Sequence, residues 1–260
     1  MNKILFASAV VALLASCASS YRVEGTSSVS ALDGSKLYLK TIKSGQLRSI
    51  DSCDVVHGEF HFAGLLDTIR MANLYMDDES ILPVVLEEGD IVIRISLAGQ
   101  SVGGTPLNDS LYKFIDRHTQ LINLMNELGH KQNQMILDGI DEQTIAQEIE
   151  SEANRITAEE DQLVTKFIEA NYDNVLGPGV FMMLTSQYPY PILTPQIEYL
   201  MSRATKAFKE DVYVREYYQT AQENEARMNG TSEAVAPAPS PTDSVAPSLA
   251  PVPLTNAPQK

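Results

Sequence analysis

From Tyr21 to about Thr105 apolar and polar residues alternate with period two, and glycine and acidic turn residues punctuate the runs. That is the pattern of antiparallel strands, each with one face buried. It predicts strands over 21–25, 35–41, 49–56, 59–65, 71–76, 81–87 and 90–97. Two turns stand out, Val56-His57-Gly58-Glu59 and Glu87-Glu88-Gly89-Asp90, each placing glycine where a positive φ is wanted. Both are expected to close hairpins. After the first, Phe60 and Phe62 fall on one face while Glu59 and His61 fall on the other, so the rings should line a core. The block reads as a small β-sandwich or open barrel.

The alternation breaks at Gly103-Gly104-Thr105 and a helical period replaces it. Asn108 is the expected N-cap of a long helix from Asp109 to about Leu128. Its stripe is Leu111, Phe114 or Ile115, Leu121 or Ile122, Met125 and Leu128. A second long helix is predicted over 141–171, with Ile145, Ile149, Ile156, Leu163 and Phe167 on one side. Two such stripes normally bury each other, so a helical hairpin is expected. The stretch from Gly129 to Gly139 reads either as a loop or as a weak point in one longer arm. A shorter buried helix follows over 177–187, and Tyr188 to Pro191 must be extended because proline disfavours helix in the residue before it. Thr194 should cap a helix with Pro195 at its first position, running to about Phe208. A last helix covers 210–228, and Gly230 ends it. The fold class is therefore α+β: an antiparallel β-sandwich or open barrel followed by an α-helical segment with a long helical hairpin.

The chain ends carry a different message. Met1 to Lys3 is a short basic start, Ile4 to Leu14 is an apolar run, and Leu14-Ala15-Ser16-Cys17 closes it. The run is too short to span a bilayer and has the form of a secretory signal. Small residues ahead of a cysteine form a lipobox, so Cys17 is the expected lipidation site and the membrane the first expected partner. No acidic residue follows at 18–20, which favours the periplasmic face of the outer membrane. Beyond Gly230 lie seven of the thirteen prolines, among Ala, Ser, Thr and Val and without an aromatic residue. A disordered tail is expected there. The expected organisation is signal peptide 1–16, lipidated Cys and tether 17–20, β-rich domain 21–105, α-helical domain 106–229 and tail 230–260.

A formal net charge of -15 argues against nucleic acid as a partner. The only cysteines are Cys17 and Cys53. Lipidation of the first leaves Cys53 as a possible free thiol: a reactive group, an intermolecular bridge or, the favoured reading, a buried apolar filler.

Candidate chemistry is sparse. His57 and His61 flank a turn with no third ligand nearby, which argues against a metal pair. His118 and His130 lie in the helical arm near acids such as Asp116, where surface or capping roles outweigh general-base catalysis. Asp77, Asp78 and Glu79 lack the spacing of a calcium loop and read as a solvated turn. Glu159 and Glu160 fall on a wet helix face. No serine sits in a GxSxG elbow, and Gly103-Gly104 lacks the lysine of a phosphate loop. No catalytic residue, cofactor or metal site is expected.

The run Ile50, Asp51, Ser52, Val55 or Val56, Gly58, Phe60, Phe62 and Gly64, preceded by Gly34, Leu37, Tyr38 and Leu39, resembles a known family. So do Tyr21, Val23 and Gly25, the stretch from Leu82 to Gly89, and Gly104, Thr105, Leu107 and Asn108. The family is the domain of unknown function catalogued as number 4369, common in envelope lipoproteins of one phylum of Gram-negative anaerobes. The resemblance covers roughly residues 21–108, and the helices through Asn171 and Asn174 more loosely. It implies a β domain and helices that usually precede a thioredoxin-like domain working through a CxxC pair. No CxxC pair occurs here, and that domain is expected to be missing.

The leading expectation is a non-enzymatic, lipid-anchored platform for an envelope protein, a peptide or a glycan. One alternative is an accessory to periplasmic thiol-disulfide chemistry, working with a separate thioredoxin-like reductase or through Cys53. Another is an unrecognised hydrolase.

Overall fold

The computed structural model describes residues 19–43 and 46–230, so the expected signal peptide, Cys17 and the proline-rich segment beyond 230 lie outside the described residues. Among the described residues, eight strands form two four-stranded sheets. They are β1 (Ser20–Ser27), β2 (Lys36–Lys43), β3 (Gln46–Asp54), β4 (Glu59–Leu65), β5 (Arg70–Met76), β6 (Glu79–Leu86), β7 (Gly89–Ser96) and β8 (Gly99–Gly103). One sheet has the order β4-β1-β7-β8, the other β3-β2-β5-β6. A 3-10 turn (Ser30–Leu32) lies between β1 and β2.

The two glycine turns do not join partners within a sheet, contrary to expectation. Val56 and Glu59 exchange backbone hydrogen bonds of 2.9 and 3.0 Å around His57 (φ 55) and Gly58 (φ 77). Beyond that bridge the strands part, β3 to pair with β2 and β4 to pair with β1. The turn at Gly89 (φ 124) likewise carries the chain from β6 in one sheet to β7 in the other. A glycine turn fixes local chain reversal but not which neighbour the next strand finds. Pairing is antiparallel throughout except between β1 and β7, which run parallel. Strand β8 was not expected; it begins at Gly99 and ends at Gly103, the first residue of the Gly103-Gly104-Thr105 break.

Glycine and aromatic residues face each other across β1 and β4, where Gly25 is opposite Phe60 and Gly64 opposite Tyr21. A Cβ on Gly25 would lie 2.0 Å from the Phe60 ring, so the ring occupies the space the glycine leaves. Strands β5 and β6 are buried on both faces, which explains the unbroken apolar run Ile81, Leu82, Pro83, Val84, Val85, Leu86. One face meets the other sheet and the opposite face meets helices. Pro83 is tolerated because β6 is an edge strand.

Six helices follow among the described residues: α1 (Pro106–Leu137), α2 (Glu142–Ala170), α3 (Leu176–Ser186), α4 (Pro195–Arg203), α5 (Lys206–Glu210) and α6 (Val212–Met228). The N-cap of α1 is Thr105, not the expected Asn108, which lies fully buried in the first turn. There its amide copies a strand. The side-chain oxygen accepts from Val85 N–H at 2.8 Å, and its NH2 donates to Val85 C=O at 2.8 Å. One turn on, Tyr112 donates to the Pro83 carbonyl at 3.0 Å. The open edge of β6 is thereby closed by side chains of a helix. In return, the Glu87 carboxylate at the end of β6 accepts from the backbone N–H of Leu107 (2.8 Å) and Asn108 (3.0 Å). These are donors a helix start leaves unpaired, and a negative charge suits that end.

Helix α1 continues through Gly129, so the segment between Gly129 and Gly139 is mostly helix rather than loop. It ends in a Schellman motif, with Gly139 (φ 73) N–H bonded to Ile136 C=O and Ile140 N–H to Met135 C=O, both at 3.1 Å. Asp141 then caps α2 through Thr144. Leu121, Leu128 and Ile156 form a small cluster between the two helices. Phe114 and Phe167 meet nearer the sheets, with ring centroids 4.4 Å apart. The helix expected to reach Phe208 stops at Arg203, because Thr205 caps a new turn and Asp211 caps α6. Both sheets, the base of the hairpin and α3 to α6 share one continuous hydrophobic core.

Replacing Asn108 by alanine strands a buried N–H and a buried C=O at Val85. Urea denaturation of Asn108→Ala should show a loss of about 2–4 kcal/mol.

Candidate functional site

The β2–β3 ribbon outruns its neighbour β5. Pairing of β2 with β5 ends at Lys40 and Asn73, whereas pairing with β3 continues to Lys43 and Gln46 after a register shift at Leu39/Lys40. Thr41 bridges the divergence by donating its hydroxyl to Met71 C=O at 2.8 Å. The splayed strands leave a cleft of about 500 Å³ against α3 and α6.

One wall consists of residues 40–43, Leu47 and residues 69–73; the other consists of Val175, Pro178, Gly179, Met182, residues 211–213 and Glu216. The walls approach closely at Gly179, where a Cβ would stand 3.3 Å from Met71 Cγ. Exposed Leu47, Ile69 and Val212 ring the mouth, and Met71 and Met182 supply adaptable apolar surface within.

Charge is segregated across the cleft. Lys40, Lys43 and Arg70 stand on the strand side, Asp211 and Glu216 on the helix side. Lys40 lies over the Tyr75 ring, 4.6 Å from its centroid, and donates to Asp77 C=O at 3.0 Å. Arg70 pairs with Asp67. Asp211 accepts from the N–H groups of Tyr213 and Val214, and Tyr213 shares a 2.8 Å hydrogen bond with Thr185. Burial raises the Tyr213 phenol above its ordinary value. Among the described residues the lining is apolar within and charged at its rim.

The residues singled out in the sequence lie elsewhere. Cys53 is at the far end of β3 from Leu47, half-buried opposite Leu37 and packed on the core. Burial pushes its thiol up to about 11, with Asp51 and Asp54 adding to the rise and a backbone contact at His61 opposing it. His57 forms the positive-φ turn, and His61 is exposed on β4. Among the described residues no group of three or more His, Cys, Asp or Glu is placed to hold a metal. His118 meets Glu160 across the helical hairpin at 3.0 Å, and that hydrogen bond holds the Glu160 carboxyl below its ordinary value. Arg117 pairs with Glu159, and Lys131 with Glu148 and Glu152 at 2.7 and 3.2 Å. These residues brace α1 against α2.

The cleft was not visible in the sequence. Met71, Met182 and Tyr213 lie on separate elements, and only the splay of β2 from β5 brings them together. A raised thiol pKa means little thiolate at neutral pH. Cys53 should therefore react with iodoacetamide at pH 8 at least about tenfold more slowly than an unhindered thiol, and the rate should climb until the pH approaches 11. Mass spectrometry of the alkylated chain over a pH series reads this directly.

No curated protein and no solved structure matches the chain. A family model does match, over residues 21–111, and that span takes in both sheets, Glu87 and Asn108. Residues 21–111 thus match the model of the family described as Domain of unknown function (DUF4369).

Proposed function

We propose that this is a lipid-anchored protein of the cell envelope, held through Cys17 on the periplasmic face of the outer membrane. There it acts as a binding platform without catalytic activity. The observation that carries the platform reading is the apolar cleft between the β2–β3 ribbon and helices α3 and α6, rimmed by opposite charges. Its occupant is an apolar protein segment with charges at its ends, because three aliphatic residues at the mouth offer area rather than directed hydrogen bonds.

The anchor reading rests on the apolar run and Leu14-Ala15-Ser16-Cys17. Since β1 begins at Ser20, only Ala18 and Ser19 separate the lipid site from the first strand. The half-buried Cys53 supports an inert thiol over a redox accessory, which needs a low-pKa, accessible sulfur. The apolar interior of the cleft, lined by Met71, Val175 and Met182, supports a platform over a hydrolase.

In cells fed labelled palmitate, the wild-type protein should take up label and Cys17→Ala should not. A photo-crosslinking residue at position 182 of the wild-type background should give protein adducts that Val212→Glu removes, while the same residue at position 61 gives none. Equal adducts at 61 and 182 would refute the cleft as the docking surface.

A further inference from the structure

The first described residues are tied to one end of the β domain. Leu66 N–H donates to Ser19 C=O at 2.8 Å, Ser20 is registered opposite Leu65, and the Ser19 hydroxyl donates to the Glu88 carboxylate at 3.0 Å. The start of β1, the end of β4 and the turn between β6 and β7 therefore meet at Ser19. Only Ala18 stands between that residue and Cys17. Two residues of extended chain span at most about 7 Å. A headgroup layer is itself about 5–8 Å deep. An acylated Cys17 thus leaves no tether on which this end could stand clear of the lipid.

The side chains at this end suit a lipid boundary. Leu65 is 79% exposed, at the end of the edge strand β4. Asp67 beside it is paired with Arg70, and Asp90 with Arg22. A second exposed leucine serves as a comparison. Leu97 is 58% exposed in the turn between β7 and β8, and the parallel register of β1 with β7 puts that turn at the opposite end of the same sheet.

The end that holds Ser19 also launches α1. Asn108 binds Val85 and Tyr112 binds Pro83, so four residues up the helix match two residues back along β6. The helix rises about 6 Å over that step and the strand covers about 7 Å. Helix α1 therefore leaves antiparallel to β6, away from the Glu87-Glu88 turn. Its 32 residues carry the far end of the hairpin about 48 Å from its start.

We propose that this short leash seats the Ser19, Leu65 and Glu88 end of the β domain on the lipid surface, with Leu65 entering the headgroup layer and the α1–α2 hairpin projecting away from the membrane. This rests on the reading of Cys17 as the lipid site, and adds to it a second, non-covalent contact and an orientation.

The test uses the full-length acylated protein in a Cys53→Ser background, purified from the cells that make it and reconstituted in phosphatidylcholine vesicles with a nitroxide on the headgroup. A fluorophore is attached through Leu65→Cys, Leu97→Cys or Leu137→Cys, and uptake of labelled palmitate is measured for each chain. The probe at 65 should lose at least about half its emission to the nitroxide, while those at 97 and 137 keep theirs. A Gly/Ser insert of about 20 residues between Ala18 and Ser19, with a root-mean-square span of about 25 Å, should restore the emission at 65. Three results in an acylated chain would overturn the proposal and leave the anchor standing: quenching at 65 no stronger than at 97, equal quenching at 137, or quenching at 65 that survives the insert unchanged. A chain that takes up no palmitate would remove the anchor reading and this inference with it.

Discussion

The reciprocal bond between the end of β6 and the start of α1 is the constraint on which the architecture depends. A sheet edge and a helix start each present backbone groups without partners, and burying either unpaired is costly. Here each supplies what the other lacks. Asn108 pairs with both backbone groups of Val85, and Glu87 takes up two N–H groups at the helix start. The exchange sets the direction in which a 32-residue helix leaves the sheets, and hence where its far end stands. That the matched family span includes Glu87 and Asn108 and ends at Leu111 fits a unit that would be incomplete at the last strand.

Much of this was legible in the chain. Period two gave the strands, and the stripe of Leu111, Phe114, Ile115, Leu121 and Leu128 gave the hairpin, because burial of one face leaves a local record. Asn108 was misread as a cap for a physical reason: an amide that bonds backbone groups at a helix start looks the same in sequence whether those groups are its own or a neighbour's. The turns at Gly58 and Gly89 were read correctly as turns and wrongly as hairpins, since a positive φ says nothing about the partner a strand adopts later. The cleft left no local trace, being a product of two strands parting where β2 outruns β5.

The helical layer divides into two mechanical parts. Near the sheets α1 and α2 share the main core, with Phe114 on Phe167. Farther out, the pair is held by the small cluster of Leu121, Leu128 and Ile156, with Met125, Ile149, Ala153 and Leu163 against it, and by surface ion pairs such as Lys131 with Glu148, which water and salt screen. The fixed geometry at the outer end comes from backbone hydrogen bonds in the tight turn at Gly139 together with the burial of Met135 and Ile145. A stiff end on a lightly braced stem presents a shaped surface at a distance from the core.

The parallel pairing of β1 with β7 bears on the order of folding. Tyr21 is registered against Gly89 and Ser27 against Ile95, so the first strand of its sheet meets its second neighbour only after nearly the whole β segment has been synthesised. Contacts so distant in sequence are slow to form, because loop closure must precede any gain from pairing. Until then β1 has β4 alone, and the sheet lacks its centre. A chain with this topology stays open to other handling, such as threading through a translocation channel, for longer than one built from successive hairpins.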